Sequence, residues 1–328
     1  MAHLIKLEDY VSRYQFDIYR YPNQFTRLKK ERWLSLKSEW EHDKEAQESV
    51  FITDLLEKEP SIHDELEEKS LFAKTVQWVK KLRPAKSEDF ETENEEKPME
   101  EERLIAKAKT LEQLKKLFID EIYLSQLRWA SSSLIEKSYL NPKYRYDERL
   151  KFFATQIPDN YLVMYKPIFY IKQARVDMGV LLISPTDVFC ISLLEGTNKS
   201  IFQPLRERYW LEIVGKEERK VVSPVIELNR MASIVKEILQ EKELAMPIKK
   251  IVLSPESYID DFRMSGKIQL IDRRSFPEWK EKMRRNPSPI KKIQLEVAKV
   301  LLDHCLTTAF QRQEVLEGDH LEDDEVQL

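Results

Sequence analysis

Cysteine is nearly absent from the 328-residue chain: Cys190 and Cys305 are the whole complement, with no CxxC and no clustered histidine. That excludes the common zinc frameworks and a disulfide-built scaffold, and it fits a reducing compartment with each thiol acting as a small buried hydrophobe. Glycine is scarce, five residues in all, and none sits in a P-loop, a dinucleotide-binding turn or a nucleophile elbow. Long apolar runs are missing too. The start, MAHLIKLEDY, lacks an apolar core of signal-peptide length, and no later run reaches the ~20 apolar residues that span a bilayer. The expectation is a cytoplasmic protein with no membrane partner. An excess of one charge is also absent. With a formal net charge of −4, no global basic field draws the chain to nucleic acid or anionic lipid, so any such binding needs a local patch.

What is present in quantity is charge, 34% of residues, beside 42% hydrophobic content. This mixture suits long solvent-facing helices around a sizeable core, in one large domain or two modest ones. From about Leu4 to Leu82 the spacing is helical. FTRLKKERWLSLKSEWEHD sets Phe25, Leu28, Trp33, Leu36 and Trp40 at steps of three to five residues, and HDELEEKSLFAKTVQWVKKL repeats the pattern. Residues 1–82 therefore read as a helical N-terminal region whose apolar stripes need a partner. Residues 83–102, RPAKSEDFETENEEKPMEEE, hold few large apolar groups and read as an acidic flexible linker. Residues 103–140 return to helical spacing as a connector.

Residues 141–312 read as an α/β domain. YDERLKFFATQIPDNY is a short amphipathic helix stopped at Pro158-Asp159, after which the period changes. YLVMYKPIFYIKQARVDMGVLLIS, DVFCISLLE, SIFQPL and YWLEIV are β-branched and aromatic runs between turn residues, the mark of a sheet. SPVIELNRMASIVKEILQEK is a helix with proline in its first turn, IKKIVLS and KIQLID are strands, and a last helix runs from about Ser288 to Phe310. EGDHLEDDEVQL closes the chain, and residues 313–328 read as an acidic disordered tail. The fold class expected is α/β (α+β), a mixed sheet flanked by helices and preceded by a helical N-terminal region.

The most informative run is VDMGVLLISPTDVFCISLLEG, Val176 to Gly196: two apolar strands joined by a Ser-Pro-Thr-Asp turn, with Asp177 before the first and Glu195 after the second. Together with QIPDNYLVMYKPI, Trp210 and the Ser223-Pro224 helix start, it resembles the nuclease-related domain (NERD) family, a branch of the PD-(D/E)XK endonuclease-like fold. The resemblance covers about Tyr144 to Asp272 and implies a restriction-endonuclease-like sheet. In that family an Asp at one strand and a Glu on its neighbour offer hard oxygen ligands to Mg²⁺ or Mn²⁺. A Lys two residues past the Glu stabilises charge developing on phosphate.

Here the Glu-x-Lys strand end reads Ser192-Leu193-Leu194, and a leucine cannot replace an ammonium. Gly179 falls near the Asp position, with Asp177 two residues earlier on the same strand face. A migrated site would use Asp177 and Glu195 as metal ligands, with Glu148 on the preceding helix and Lys199 as the charge stabiliser. Glu195 would need a bulge to reach the right face. Two readings stand open. The first is a catalytically inactive nuclease-fold protein that needs no cofactor and works by binding, to a protein through its N-terminal helices or to nucleic acid. The second is a divergent Mg²⁺- or Mn²⁺-dependent nuclease using Glu148, Asp177, Glu195 and Lys199. Tyr209 and Trp210 are candidates for stacking a base, although strand aromatics are mostly core. The basic pairs Lys249-Lys250, Arg273-Arg274, Arg284-Arg285 and Lys291-Lys292 are candidates for a phosphate-facing surface. His42, His63 and His304 lack ligand spacing.

Overall fold

Short apolar runs that are buried on both faces build the centre of the molecule. The computed structural model describes residues 1–56, 108–206, 208–260 and 267–308. Its central sheet has six strands in the order β1 (His3–Leu7), β2 (Leu162–Tyr165), β5 (Val180–Ile183), β6 (Val188–Leu193), β10 (Ile248–Leu253) and β12 (Ile268–Ile271). Between β2 and β5 the chain makes a separate hairpin of β3 (Ile168–Ile171) and β4 (Ala174–Asp177). The β5–β6 hairpin turns through Ser184–Asp187, where the Ser184 hydroxyl accepts the backbone N–H groups of Thr186 and Asp187. β1–β2, β6–β10 and β10–β12 are parallel, while β2–β5 and β5–β6 are antiparallel. The sheet is therefore mixed.

Two layers of helix cover it. On one face Val163, Tyr165, Val180, Leu182, Ile191, Ile251 and Leu253 form a core with side chains from α2 (Leu111–Trp129), α3 (Glu148–Gln156) and α5 (Phe276–Arg284), among them Leu127, Phe153 and Trp279. On the other face α4 (Pro224–Glu241) packs on β6 and β10 through buried Leu228, Met231, Val235 and Ile238, and α6 (Lys292–Asp303) packs beside α4. Alternating residues of β5 and β6 thus point into two different helical layers, which is why these strands carry no polar face.

A second sheet of four strands, β11 (Tyr258–Ile259), β7 (Ser200–Arg206), β8 (Tyr209–Val214) and β9 (Glu217–Val222), follows the end of β6. Gly215, at φ +65°, makes the two-residue turn from β8 to β9, a conformation open to glycine without strain.

The helical reading from Leu4 is corrected at the N-terminus. HLIKL is buried at all five positions, His3 and Lys6 included, and pairs with β2; burial on both faces suits a strand between two layers, and the Lys6 ammonium finds partners in the Tyr10 carbonyl, Gln15 and Thr307. The N-terminal helix, α1, is Tyr21–Leu56. By contact, the chain divides into Met1–Leu28 with Ile119–Leu328 and, separately, Lys29–Phe118, so the first strand belongs with the α/β unit. Within Lys29–Phe118, Trp33 packs on Phe118, and the Trp40 indole donates to the Ala108 carbonyl at 2.8 Å. The last helix stops at Asp303, short of Phe310. The helix expected before Leu82, the linker at 83–102 and the tail at 313–328 lie outside the described residues.

Candidate functional site

The C-terminal ends of β2, β6, β10 and β12 and the start of β5 share one edge of the central sheet. Helix α3 begins beside it. Asp147 caps that helix, accepting from the Arg149 and Leu150 N–H groups at 3.0 and 2.9 Å, and its second oxygen accepts from the Tyr165 hydroxyl at 2.9 Å. Burial and the neighbouring Asp147 carboxylate hold the Tyr165 phenol well above its ordinary range. Burial does the same for Tyr144, whose hydroxyl donates to Glu8. Carboxylates near this edge are thus engaged by caps and phenols.

The residues anticipated for a metal are not gathered there. Asp177 is not on the strand face of Gly179, because the chain leaves β5 at Met178 and Gly179 and pairs Asp177 with Ile168 in the small hairpin. Its carboxylate lies 3.6 Å from Arg175 Nε. Glu195 follows β6 without returning to the sheet face and accepts from Arg149 Nη1 at 2.7 Å. Lys199 is exposed in the turn after it, where Thr197 N–H donates to Ser200 Oγ. Glu148 is exposed in the first turn of α3. Among the described residues no group of three or more His, Cys, Asp or Glu is placed to hold a metal ion.

The position that would have carried the strand acid is closed by packing. A β-carbon on Gly179 would lie 2.5 Å from the Ile191 carbonyl oxygen, 3.1 Å from Glu227 Oε1 and 3.3 Å from Met231 Sδ. Across the β5–β6 pair, the Ser192 hydroxyl donates to Glu227 Oε2. Glu227 and Met231 come from the first turns of α4, where a carboxylate is favoured by the helix dipole. Leu194 is 9% exposed. Gly179, Ser192, Glu227 and Met231 therefore form a filled corner with one carboxylate and no ammonium.

Sequence reasoning missed Glu227, although an acid in the first turn after Ser223-Pro224 was a visible signal. It also undervalued Gly179: a lone glycine inside an apolar strand marks a close approach of another backbone or side chain.

The basic pairs do not form one surface by themselves. Lys249 pairs with Asp187 at 2.9 Å, Arg285 with Glu281 at 3.0 Å and Lys292 with Glu296 at 3.5 Å. Arg274 pairs with Asp272 at 2.5 Å. Tyr209 and Trp210, adjacent in sequence, point to opposite faces of the four-stranded sheet, Tyr209 42% exposed and Trp210 1%. Burial raises the Cys190 thiol to about 12, so it is an inert apolar group. No described helix is long and apolar enough to cross a membrane.

No family model and no solved structure matches the chain. Over 127 residues it is 31% identical to an RNA 2',3'-cyclic phosphodiesterase of Geobacillus stearothermophilus, a stretch that covers 38% of this chain and 35% of that protein. The chain thus spans about a third of the length of the curated relative it matches.

Proposed function

We propose that this chain is a nuclease-fold protein of the kind the nuclease-related domain resemblance implies, with its metal edge filled, and that it works by binding and not by cutting. The order α3, β2, β5, β6, α4, β10 supports the reading: a helix, an antiparallel meander of three strands, a crossover helix and a strand parallel to the last of the three. The observation that carries it is Gly179, whose missing side chain leaves room only for the Ile191 carbonyl, Glu227 and Met231. Mg²⁺ or Mn²⁺ does not fit this corner, because one carboxylate already accepting from Ser192 is too few hard ligands for such an ion. A partner protein at the N-terminal helices remains part of the proposal, since their apolar stripes are those of helices that pack against another surface.

The curated relative bears RNA in its name, and carried to this chain that makes RNA the first nucleic acid to test. The same name, a phosphodiesterase, favours the second reading, a divergent metal-dependent nuclease on Glu148, Asp177, Glu195 and Lys199. Under that reading Glu195 must leave Arg149 for the metal.

The experiment is a cleavage assay with the full chain on duplex DNA, single-stranded DNA, RNA and RNA ending in a 2',3'-cyclic phosphate, in Mg²⁺, Mn²⁺ or EDTA. Calorimetric titration with both metals runs beside it. No turnover and no metal binding by folded protein is the expected result. Metal-dependent cutting lost in Asp177→Ala and Glu195→Ala would overturn the proposal in favour of the nuclease.

A further inference from the structure

The four-stranded sheet has two unlike faces. Registers Phe202↔Glu212 and Glu212↔Arg219 put Phe202, Trp210 and Glu212 on the inner one, where they are buried at 0, 1 and 6% exposure. Glu212 is satisfied there by Ser200 and Arg219. The pairs Ile201↔Ile213, Gln203↔Leu211, Leu211↔Lys220, Tyr209↔Val222 and Tyr258↔Ile201 put the other set on the outer face. That face is apolar and open: Tyr209 and Ile201 are 42 and 39% exposed, and Val222 is 65%.

Cations frame its aromatic rings. Arg208 Cζ lies 5.8 Å from the Tyr209 ring centre, and the Arg273 and Arg274 guanidinium carbons lie 5.9 and 5.7 Å from that of Tyr258. Lys220, opposite Leu211 on the edge strand β9, belongs to the same face. Two acids belong to the same surface: Glu218 opposite Ile213, and Asp260, whose carboxylate accepts from Gln203 Nε2 at 3.1 Å.

We propose that this outer face binds single-stranded nucleic acid, RNA in the first instance, with bases against Tyr209 and Tyr258 and phosphates at Arg208, Lys220 and Arg273. The occupant follows from the chemistry. The exposed Tyr209 ring and the half-buried Tyr258 ring offer stacking surfaces to unpaired bases, and flanking guanidiniums offer both a phosphate contact and a second plane for a base. A duplex hides its base faces and has no use for such rings. An added protein strand is disfavoured because the outer edge, β9, reads EERKVV, and charges along an edge resist pairing with another chain. The site also needs no metal, which suits a chain at net charge −4 that must bind through a local patch. This inference rests on the reading of the chain as a binding protein and names its ligand class and its surface.

The test is fluorescence anisotropy of a labelled single-stranded RNA of about 12 nucleotides, the scale one small sheet covers. The full chain is titrated in EDTA at several salt concentrations, with the same sequence as single-stranded DNA and as duplex RNA for comparison. Expected is salt-sensitive binding that prefers single strands, weakened roughly 10-fold by Tyr209→Ala and by Tyr258→Ala but little by Tyr209→Phe. Lys220→Gln should lower the slope of log affinity against log salt by about 0.7. Tyr209 and Lys220 are exposed, and circular dichroism confirms that each variant is folded. Absence of binding at low salt, duplex bound as tightly as single strand, or single-strand binding indifferent to these substitutions would each overturn the inference. Each of those outcomes leaves the non-cutting reading intact, whereas cleavage in Mg²⁺ would sink that reading whatever the anisotropy shows.

Discussion

The two sheets of the α/β unit use the same residue types to opposite ends. In the central sheet Leu181, Leu182, Cys190 and Ile191 are fully buried between two helical layers, and the corner at Gly179 is filled by Glu227 and Met231 from α4. In the four-stranded sheet Phe202 and Trp210 are buried while their neighbours Ile201 and Tyr209 face solvent. One sheet fills its corner by packing; the other, among the described residues, has an apolar face without a cover. The lesson is that a corner closed by packing offers no site, so a surface for binding is sought where packing is incomplete.

The sharpest way to break this contrast is the adjacent pair on β8. Trp210→Ala should cost about 3–5 kcal/mol of unfolding free energy, the range for a large core aromatic. Tyr209→Ala should stay within about 0.5 kcal/mol, as a substitution on an open face does. Urea denaturation of the two variants measures both, and equal losses would erase the distinction between the faces.

Next in size is Gly179→Asp, which puts an acid where the nuclease-related resemblance expects one. Its β-carbon meets the Ile191 carbonyl at 2.5 Å and its charge meets Glu227, so a loss of about 3 kcal/mol is expected, with no metal affinity gained. A stable variant that binds Mg²⁺ would mean that the corner is open after all.

Buried Lys6 on β1, Tyr165 on β2 and Tyr144 just before α3 predict the response of the α/β unit to alkali. Burial holds the Lys6 amine at about 8, although its ammonium donates to the Tyr10 carbonyl, Gln15 and Thr307. Between pH 8 and about 10 the unfolded chain, with an ordinary lysine, binds the proton that the folded chain gives up. Stability linked to Lys6 therefore rises with pH across that window. Tyr144 and Tyr165, whose phenols burial pushes up, act in the reverse sense: unfolded tyrosines ionise first, so stability falls as pH passes about 10. Denaturation midpoints against pH should show the rise disappear in Lys6→Met and the later fall persist.

The smallest effects compare the filled corner with the exposed acids. Ser192→Ala removes the donor to the partly buried Glu227 carboxylate and should cost about 1 kcal/mol, whereas Glu195→Ala breaks a surface pair at 72% exposure of the acid and should cost at most about 0.5 kcal/mol. A larger loss on removing Glu195 would point to a role that its ion pair does not explain.

Helices around a mixed sheet are legible in local pattern alone. Alternation and apolar runs mark β5, β6, β10 and β12, and the Ser-Pro-Thr-Asp turn and the Ser223-Pro224 helix start stand where they were expected. These are local signals, set by backbone propensity and the period of side-chain burial. Packing between distant segments made HLIKL a strand, took Asp177 into a side hairpin, brought Glu227 into the corner at Gly179, and set Trp210 rather than Tyr209 on the buried face. Each of those depends on which distant segment arrives beside a residue, Leu162–Tyr165 beside His3–Leu7 or α4 beside Gly179, and a single stretch of sequence does not carry its neighbours' coordinates.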